Sequence, residues 1–211
     1  MLKPESVLSE IGISQEFMWS LLGRRAPTVR TCYQILKGVA NPRILELGTT
    51  RSFRSGVIDS QNYCSDPSMW DWGAGCFTVV IGLLLPDARI TSVDPDSNAM
   101  HVSRTITEKA SLQIDYHQMT SSDFLANVQS QFDLIYMDHA EARGDDSCAI
   151  LHRNDADLIC SRKLLADNGL ILIDDVDESF GKGMYSIPLL TQLGFSCLSA
   201  GNYQAVLRKD W

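Results

Sequence analysis

Apolar residues along this chain follow two rhythms. Near the N-terminus they recur every three or four positions: Val7, Leu8 and Ile11; then Phe17, Met18, Leu21 and Leu22; then Val29, Tyr33, Leu36 and Val39. That spacing predicts helices over Glu5–Ile11 and Gln15–Leu22, and a longer one opened by Pro27 and closed by Gly38 and Pro42. From Arg43 onward, short apolar runs alternate with helical stretches. The stretches Arg43–Thr50, Arg89–Asp96, Leu112–His117 and Phe132–His139 read as strands, Leu164–Asp175 as a turn and a fifth strand, and Phe195–Ser199 and Tyr203–Arg208 as two closing strands. Cys76–Leu85, Asn98–Ala110, a start near Asp123 and Ile150–Cys160 read as helices. The expected fold is α/β, a doubly wound, seven-stranded, mostly parallel sheet behind an N-terminal helical cap. The short turn before the last strand suits antiparallel closure. Residues 51–75, rich in Ser, Asp, Gly, Asn and aromatics, read as a loop. A loop that long inside a compact domain is uncommon unless functional, so Tyr63, Met69, Trp70 and Trp72 are candidates for a lid; the alternative is that they pack on the sheet.

Composition narrows the picture. At 211 residues and 45% hydrophobic, one core and one domain are expected, with a cap over 1–41 and a core over 42–211. No apolar run approaches the roughly 20 residues of a membrane span, and the first residues lack the apolar centre of a signal peptide, so a cytoplasmic location is expected. The six cysteines are scattered without a C-x-x-C pair, which favours reduced buried thiols over disulfides or a zinc site. The net charge of −8 is local: Gln131 to Glu178 holds twelve acids and four bases, and the rest of the chain balances at fourteen each. A nucleic-acid substrate would want a basic face. The acidic segment suits a bound cation or a solvated surface. Arg24 and Arg25 offer positive charge to an anionic acceptor, or sit on the surface.

The most informative stretch is Arg43-Ile-Leu-Glu-Leu-Gly-Thr-Thr50. A strand that ends in glycine and feeds a helix leaves room for a ligand at the carboxyl edge of a parallel sheet. Asp94, at the end of the next strand, is placed to accept ribose hydroxyls. Glu46-x-Gly48 followed by Asp94 resembles class I S-adenosylmethionine-dependent methyltransferases, whose fold is Rossmann-like. The resemblance implies S-adenosylmethionine as cofactor, held by Glu46, Gly48, Thr49 and Asp94, with Ser121 and Ser122 at the adenine and Asp138 at the same edge. For the two serines, helix capping alone is the competing explanation. The family's glycines lie close together; here they are split, with Gly73 and Gly75 at the start of the Cys76–Leu85 helix. A nicotinamide or nucleotide-sugar enzyme is the rival reading, but the compact G-x-G-x-x-G is missing. A binding module without activity is a third.

Two strand ends carry Asp138, Asp174 and Asp175. Such acids, expected to converge with no lysine or arginine nearby, repel unless protonated or holding a cation, and oxygen-only ligands favour Mg2+. The metal-dependent catechol-type and caffeoyl-coenzyme A-type O-methyltransferases resemble this arrangement, which implies Asp138, Asp174 and Asp175 as metal ligands. The catechol type's basic lysine falls at Glu141, which makes Glu141 or His139 the candidate base. A metal chelating two vicinal oxygens would make a small-molecule diol or hydroxy acid the expected acceptor. Dimers are common in chains of this size, so a homodimer is the assembly to test.

Overall fold

The computed structural model describes residues 14–53, 66–72, 76–141, 144–177, 181–201 and 203–209. The expected helix at Glu5–Ile11, together with Tyr63, Gly73 and Gly75, lies outside them. Ser14 caps α1 (Gln15–Leu22) by accepting the Phe17 N–H. A 3-10 turn at Gly23–Arg25 then leads into α2 (Ala26–Leu36), which carries proline at its first turn, where a missing N–H costs nothing.

The sheet comprises β1 (Arg43–Leu47), β2 (Arg89–Val93), β3 (Ile114–His117), β4 (Phe132–Met137), β5 (Leu165–Ile173), β6 (Phe195–Ala200) and β7 (Ala205–Lys209), in the order β3-β2-β1-β4-β5-β7-β6. The first five strands run parallel, and β7 pairs antiparallel with both β5 and β6. Helices α3 (Phe77–Leu84), α4 (Ser97–Lys109), α5 (Ser121–Asn127), α6 (Ser147–Ser161) and α7 (Gly183–Gln192) fill the connections. The strand order reverses between β1 and β4, and open sheets of this kind bind ligands outside the strand ends at that point.

Central strands are buried on both faces, so their side chains alternate between two cores rather than between core and water. Ile44, Leu134, Tyr136, Leu170 and Leu172 join the core beneath α1, α2 and α3. Leu45, Leu47, Ile135, Ile171 and Ile173 join the other, against α5, α6 and α7. Every residue of α3 is buried, which explains its lack of a polar face. Trp70 and Trp72 belong to the first core, 1% and 5% exposed, and stack on each other. Trp72 Nε1 donates to the Pro67 carbonyl, and Phe53 pairs with Trp70 in an isolated bridge. They close the core and are not lid residues, a correction whose cause is the apolar area two indoles bury; Met69 is half-buried beside them.

Glu46 sits inside the first core, fully buried. Its carboxylate receives the Ser92 hydroxyl at 2.5 Å, the Thr78 hydroxyl and the Thr78 N–H at 3.2 Å. It therefore ties β1 to β2 and to the first turn of α3. Burial pushes its carboxyl up to about 7, despite the hydroxyls that favour the anion. A folded-state value above the unfolded one gives a contribution to stability that is present at low pH and lost as pH rises through about 7. Glu46→Gln, which cannot titrate, is expected to show a smaller fall in unfolding free energy between pH 5 and pH 8 than the parent protein. Urea denaturation at both pH values tests this, and an unchanged fall would refute it.

Candidate active site

At the end of β1 the chain turns on Gly48, with φ +86°. A Cβ there would stand 2.8 Å from the Asp138 carbonyl and from His139 Cα. Gly48 N donates to the Val93 carbonyl at 2.8 Å, and Asp138 N donates to the Leu47 carbonyl at 2.9 Å. The ends of β1, β2 and β4 thereby form one floor, above which lies a cavity of about 960 Å³. That is at the upper end of small-ligand sites, enough for a nucleoside cofactor and a small second molecule.

One side of the cavity carries Gly48, Thr49, Asp94, Ala99, Ser121 and Ser122. Asp94 accepts the Thr49 and Asp96 N–H groups at 3.0 and 2.8 Å, one on each oxygen. Burial nevertheless raises its carboxyl above the usual range. Each oxygen keeps a lone pair for a further donor. The Thr49 hydroxyl donates to Ser103 at 2.8 Å, which fixes the turn on α4. Thr120, not either serine, caps α5 by accepting the Asp123 N–H. The Ser122 hydroxyl donates to Asp155 at 2.6 Å, so it orders the wall from behind. Glu46 is not part of the wall, because its carboxylate is consumed inside the core; its sequence-level assignment to the cofactor is corrected to a structural tie.

The other side carries Arg25, Asp138, Glu141, Asp175, Lys182 and Tyr203. Asp138, Asp174 and Asp175 do converge, with carboxylate oxygens within 4.8 Å of one another. The expectation that no cation stands near them is overturned. Lys182, 3% exposed, places Nζ 2.5 Å from Asp138 Oδ1, 3.1 Å from the Asp138 carbonyl and 2.8 Å from Asp175 Oδ2. Arg25 holds Asp174 Oδ2 through Nε at 3.2 Å and Nη2 at 2.8 Å. Arg24 is spent on Asp177 at the surface. The Tyr136 hydroxyl lies 3.0 Å from Asp138 Oδ2 and 3.1 Å from Asp174 Oδ2, and receives Gln204 Nε2 at 3.2 Å. Having one proton, it serves one carboxylate at a time.

The neighbouring acids Asp138 and Asp174 behave oppositely. Burial opposes ionisation of Asp138, yet the charge and hydrogen bond of Lys182, with Arg25 behind, hold its carboxyl below the usual range. Burial and the Asp138 charge push Asp174 up to about 7, against the pull of Arg25. Asp174 is fully enclosed and absent from the cavity wall, with Oδ1 unpaired among the described residues. Magnesium needs several oxygens at about 2.1 Å in an octahedron. Here each acid already has a cation, and the unpaired oxygen supplies one ligand rather than a set. The residues do not fit the metal, and no step is routed through one.

His139 lines the cavity but does not present a free nitrogen to it. Its ring stacks on His152 at 4.1 Å, Nε2 lies 2.8 Å from Asp155 Oδ2, and both nitrogens are shielded. His152 Nε2–H donates to the His139 carbonyl at 2.7 Å, which fixes that ring's tautomer; burial, then the neighbouring His139, holds its pKa well below the usual value. Glu141 stands half-exposed at the rim, paired with Arg51. Neither sits as the base expected of it. Lys182 and Arg25, the cations that matter, were not singled out for this role by the sequence. Pro188 inside α7 interrupts the helical pattern there, and no local motif marks Lys182 at its N-cap.

Residues 72–176 match a family model described as a methyltransferase domain. By this match the chain carries a methyltransferase domain, and its fold is that of class I S-adenosylmethionine-dependent methyltransferases. The match favours the methyltransferase reading over the nicotinamide and nucleotide-sugar ones. No curated protein shows significant sequence similarity to this methyltransferase. Among solved structures, the S-adenosylhomocysteine-bound methyltransferase PaMTH1 of Podospora anserina is similar over 97% of this chain and 88% of its own, at TM-score 0.61 and 15% identity. The O-methyltransferase TomG of Streptomyces achromogenes, in complex with S-adenosylmethionine, is similar over 98% of this chain and 88% of its own, at 0.57 and 13%. A precorrin-6y C5,15-methyltransferase of Geobacter metallireducens is similar over 88% of this chain and 89% of its own, at 0.56 and 11%. Such likeness establishes the fold that the methyltransferase shares with enzymes acting on different atoms.

Proposed function

We propose that the protein transfers the methyl group of S-adenosylmethionine to a hydroxyl oxygen of a small molecule. The observation that carries this reading is one cavity whose two halves differ in chemistry. Gly48, Thr49 and Asp94 form a nucleoside half, while Asp138, Asp175 and Lys182 form a polar half across the floor from it. The sulfonium is already an activated donor, so the protein's task is to align acceptor, methyl and sulfur and to exclude water. Positioning of this kind supplies about 7–11 kcal/mol. A hydroxyl at the polar half meets the Asp138 and Asp175 carboxylates, which can accept its hydrogen bond and orient its oxygen toward the methyl group. TomG, similar in fold, is an O-methyltransferase, which supports oxygen as the acceptor atom. No helix among the described residues is long and apolar enough to cross a membrane, which is compatible with a dissolved acceptor.

Calorimetric titration with S-adenosylhomocysteine tests the cofactor half. The parent protein is expected to bind, and Asp94→Ala to bind at least tenfold more weakly, since a carboxylate hydrogen bond to a hydroxyl contributes about 1.5–3 kcal/mol. Silence towards this ligand with binding of NADH or a nucleotide sugar would overturn the assignment. Binding without turnover of any phenolic, sugar or hydroxy-acid acceptor would favour the inactive module.

A further inference from the structure

Three acids at one sheet edge ordinarily call for a cation, and this chain supplies two of its own. We propose that Lys182 is a resident cation that stands at the Asp138–Asp175 edge in place of a divalent metal, so that the site works metal-free. The ammonium has three N–H groups, and three oxygens surround it at 2.5–3.1 Å: Asp138 Oδ1, the Asp138 carbonyl and Asp175 Oδ2. Its coordination is complete within the protein, and at 3% exposure it does not share the position with solvent.

A divalent ion would need those same oxygens at about 2.1 Å, a distance it cannot reach while Nζ remains between them. The third acid has one oxygen, Oδ2, already taken, and its remaining Oδ1 supplies a single ligand. Arg25 grips Asp174 with two N–H groups and is itself packed over the Tyr203 ring at 4.5 Å, with Nη2 donating to the Tyr203 hydroxyl at 2.9 Å. Charge points the same way. The acids contribute at most −3, while Lys182 and Arg25 contribute +2. Adding a divalent ion to that set leaves the buried edge with an excess of positive charge.

Local chain geometry keeps Lys182 in place. It is the N-cap of α7 and its carbonyl accepts the Ser186 hydroxyl at 2.9 Å. The next residue, Gly183, lets neighbouring side chains approach closely, since a Cβ there would meet Ile187 Cδ1 at 2.7 Å and Val176 Cγ1 at 2.9 Å and make them shift. Helix α7 can therefore lie close against the end of β5 and deliver the ammonium to the acids. One consequence concerns the acceptor. Two vicinal oxygens, which a metal would chelate, are not required, and a lone hydroxyl suffices.

The test uses Mn2+ as probe, read by the electron paramagnetic resonance of the free ion, on the full chain and on Lys182→Ala and Lys182→Gln. Cooperative thermal unfolding serves as the folding control. The parent protein is expected to take up no Mn2+ to about 1 mM, and the variants, with the position vacated, to take up one equivalent at least tenfold more tightly. Uptake by the parent protein that disappears in Asp138→Asn overturns the proposal. Failure of both the parent and the folded variants to bind also overturns it, since the acids would then form no cation position. If neither variant folds, the parent titration decides alone. The titration does not depend on methyl transfer: S-adenosylhomocysteine silence with these Mn2+ results would sink the cofactor reading and leave the lysine assignment standing.

Discussion

Gly48→Ala is expected to abolish measurable S-adenosylhomocysteine binding, at least a hundredfold weakening, and to lower stability as well. Two costs add. The residue holds φ +86°, a region where a non-glycine residue pays about 1–3 kcal/mol. The added Cβ also meets the Asp138 carbonyl carbon and oxygen at 2.8 Å. These are backbone atoms locked by the Asp138 N–H bond to Leu47, so the conflict cannot be relieved by turning a side chain. Relief requires β1 and β4 to part at their ends, and the floor under both halves of the cavity parts with them. Calorimetry and urea denaturation together check this. Binding within twofold of the parent, at an unchanged denaturation midpoint, would show that the turn is not the floor described here.

Arg25→Met is expected to cost about 3–5 kcal/mol at pH 8, the usual penalty for leaving one member of a buried ion pair alone. Asp174 is fully buried and its partner's side chain is only 10% exposed, so water cannot replace the guanidinium. The loss is expected to shrink at pH 5.5. Asp174 already sits at about 7 through burial and the Asp138 charge, and removing Arg25 moves it further up. Below that value it takes a proton in the folded state, which removes the uncompensated charge. Adding Asp174→Leu to Arg25→Met is expected to recover most of the stability, because an apolar pair of similar volume commonly equals a buried ion pair. Urea denaturation of both proteins at the two pH values decides it. A penalty independent of pH, or a double variant no more stable than the single, would refute the account.

The legible part of this protein was local. The strands announced themselves as short apolar runs because a strand buried on both faces needs no polar alternation. Gly48 and Asp94 announced themselves because a parallel sheet has one productive edge, and the structure brings both into one cavity wall. The meeting of Asp138, Asp174 and Asp175 was readable for the same reason, since β4 and β5 are neighbours.

What failed to show was which side chains from distant segments pair with these residues. Glu46 carries the family's acid, yet its partners Thr78 and Ser92 lie 32 and 46 residues away, and they hold it in the core rather than at the ligand. Trp70 and Trp72 look like loop aromatics until the core they fill is assembled. His139 looks like a base until Asp155 and His152 close around it. Glu141 pairs with Arg51, 90 residues back.

Sequence alone therefore determined the fold class, the glycine turn and the acidic strand ends, because each follows from periodicity and from the backbone demands of a single residue. Only the tertiary structure decided what those acids hold. Arg25 arrives at Asp174 from 149 residues earlier and Lys182 reaches Asp138 from 44 residues later. A carboxylate's charge state is set by whichever cation the packed chain delivers to it, and no local pattern encodes that delivery.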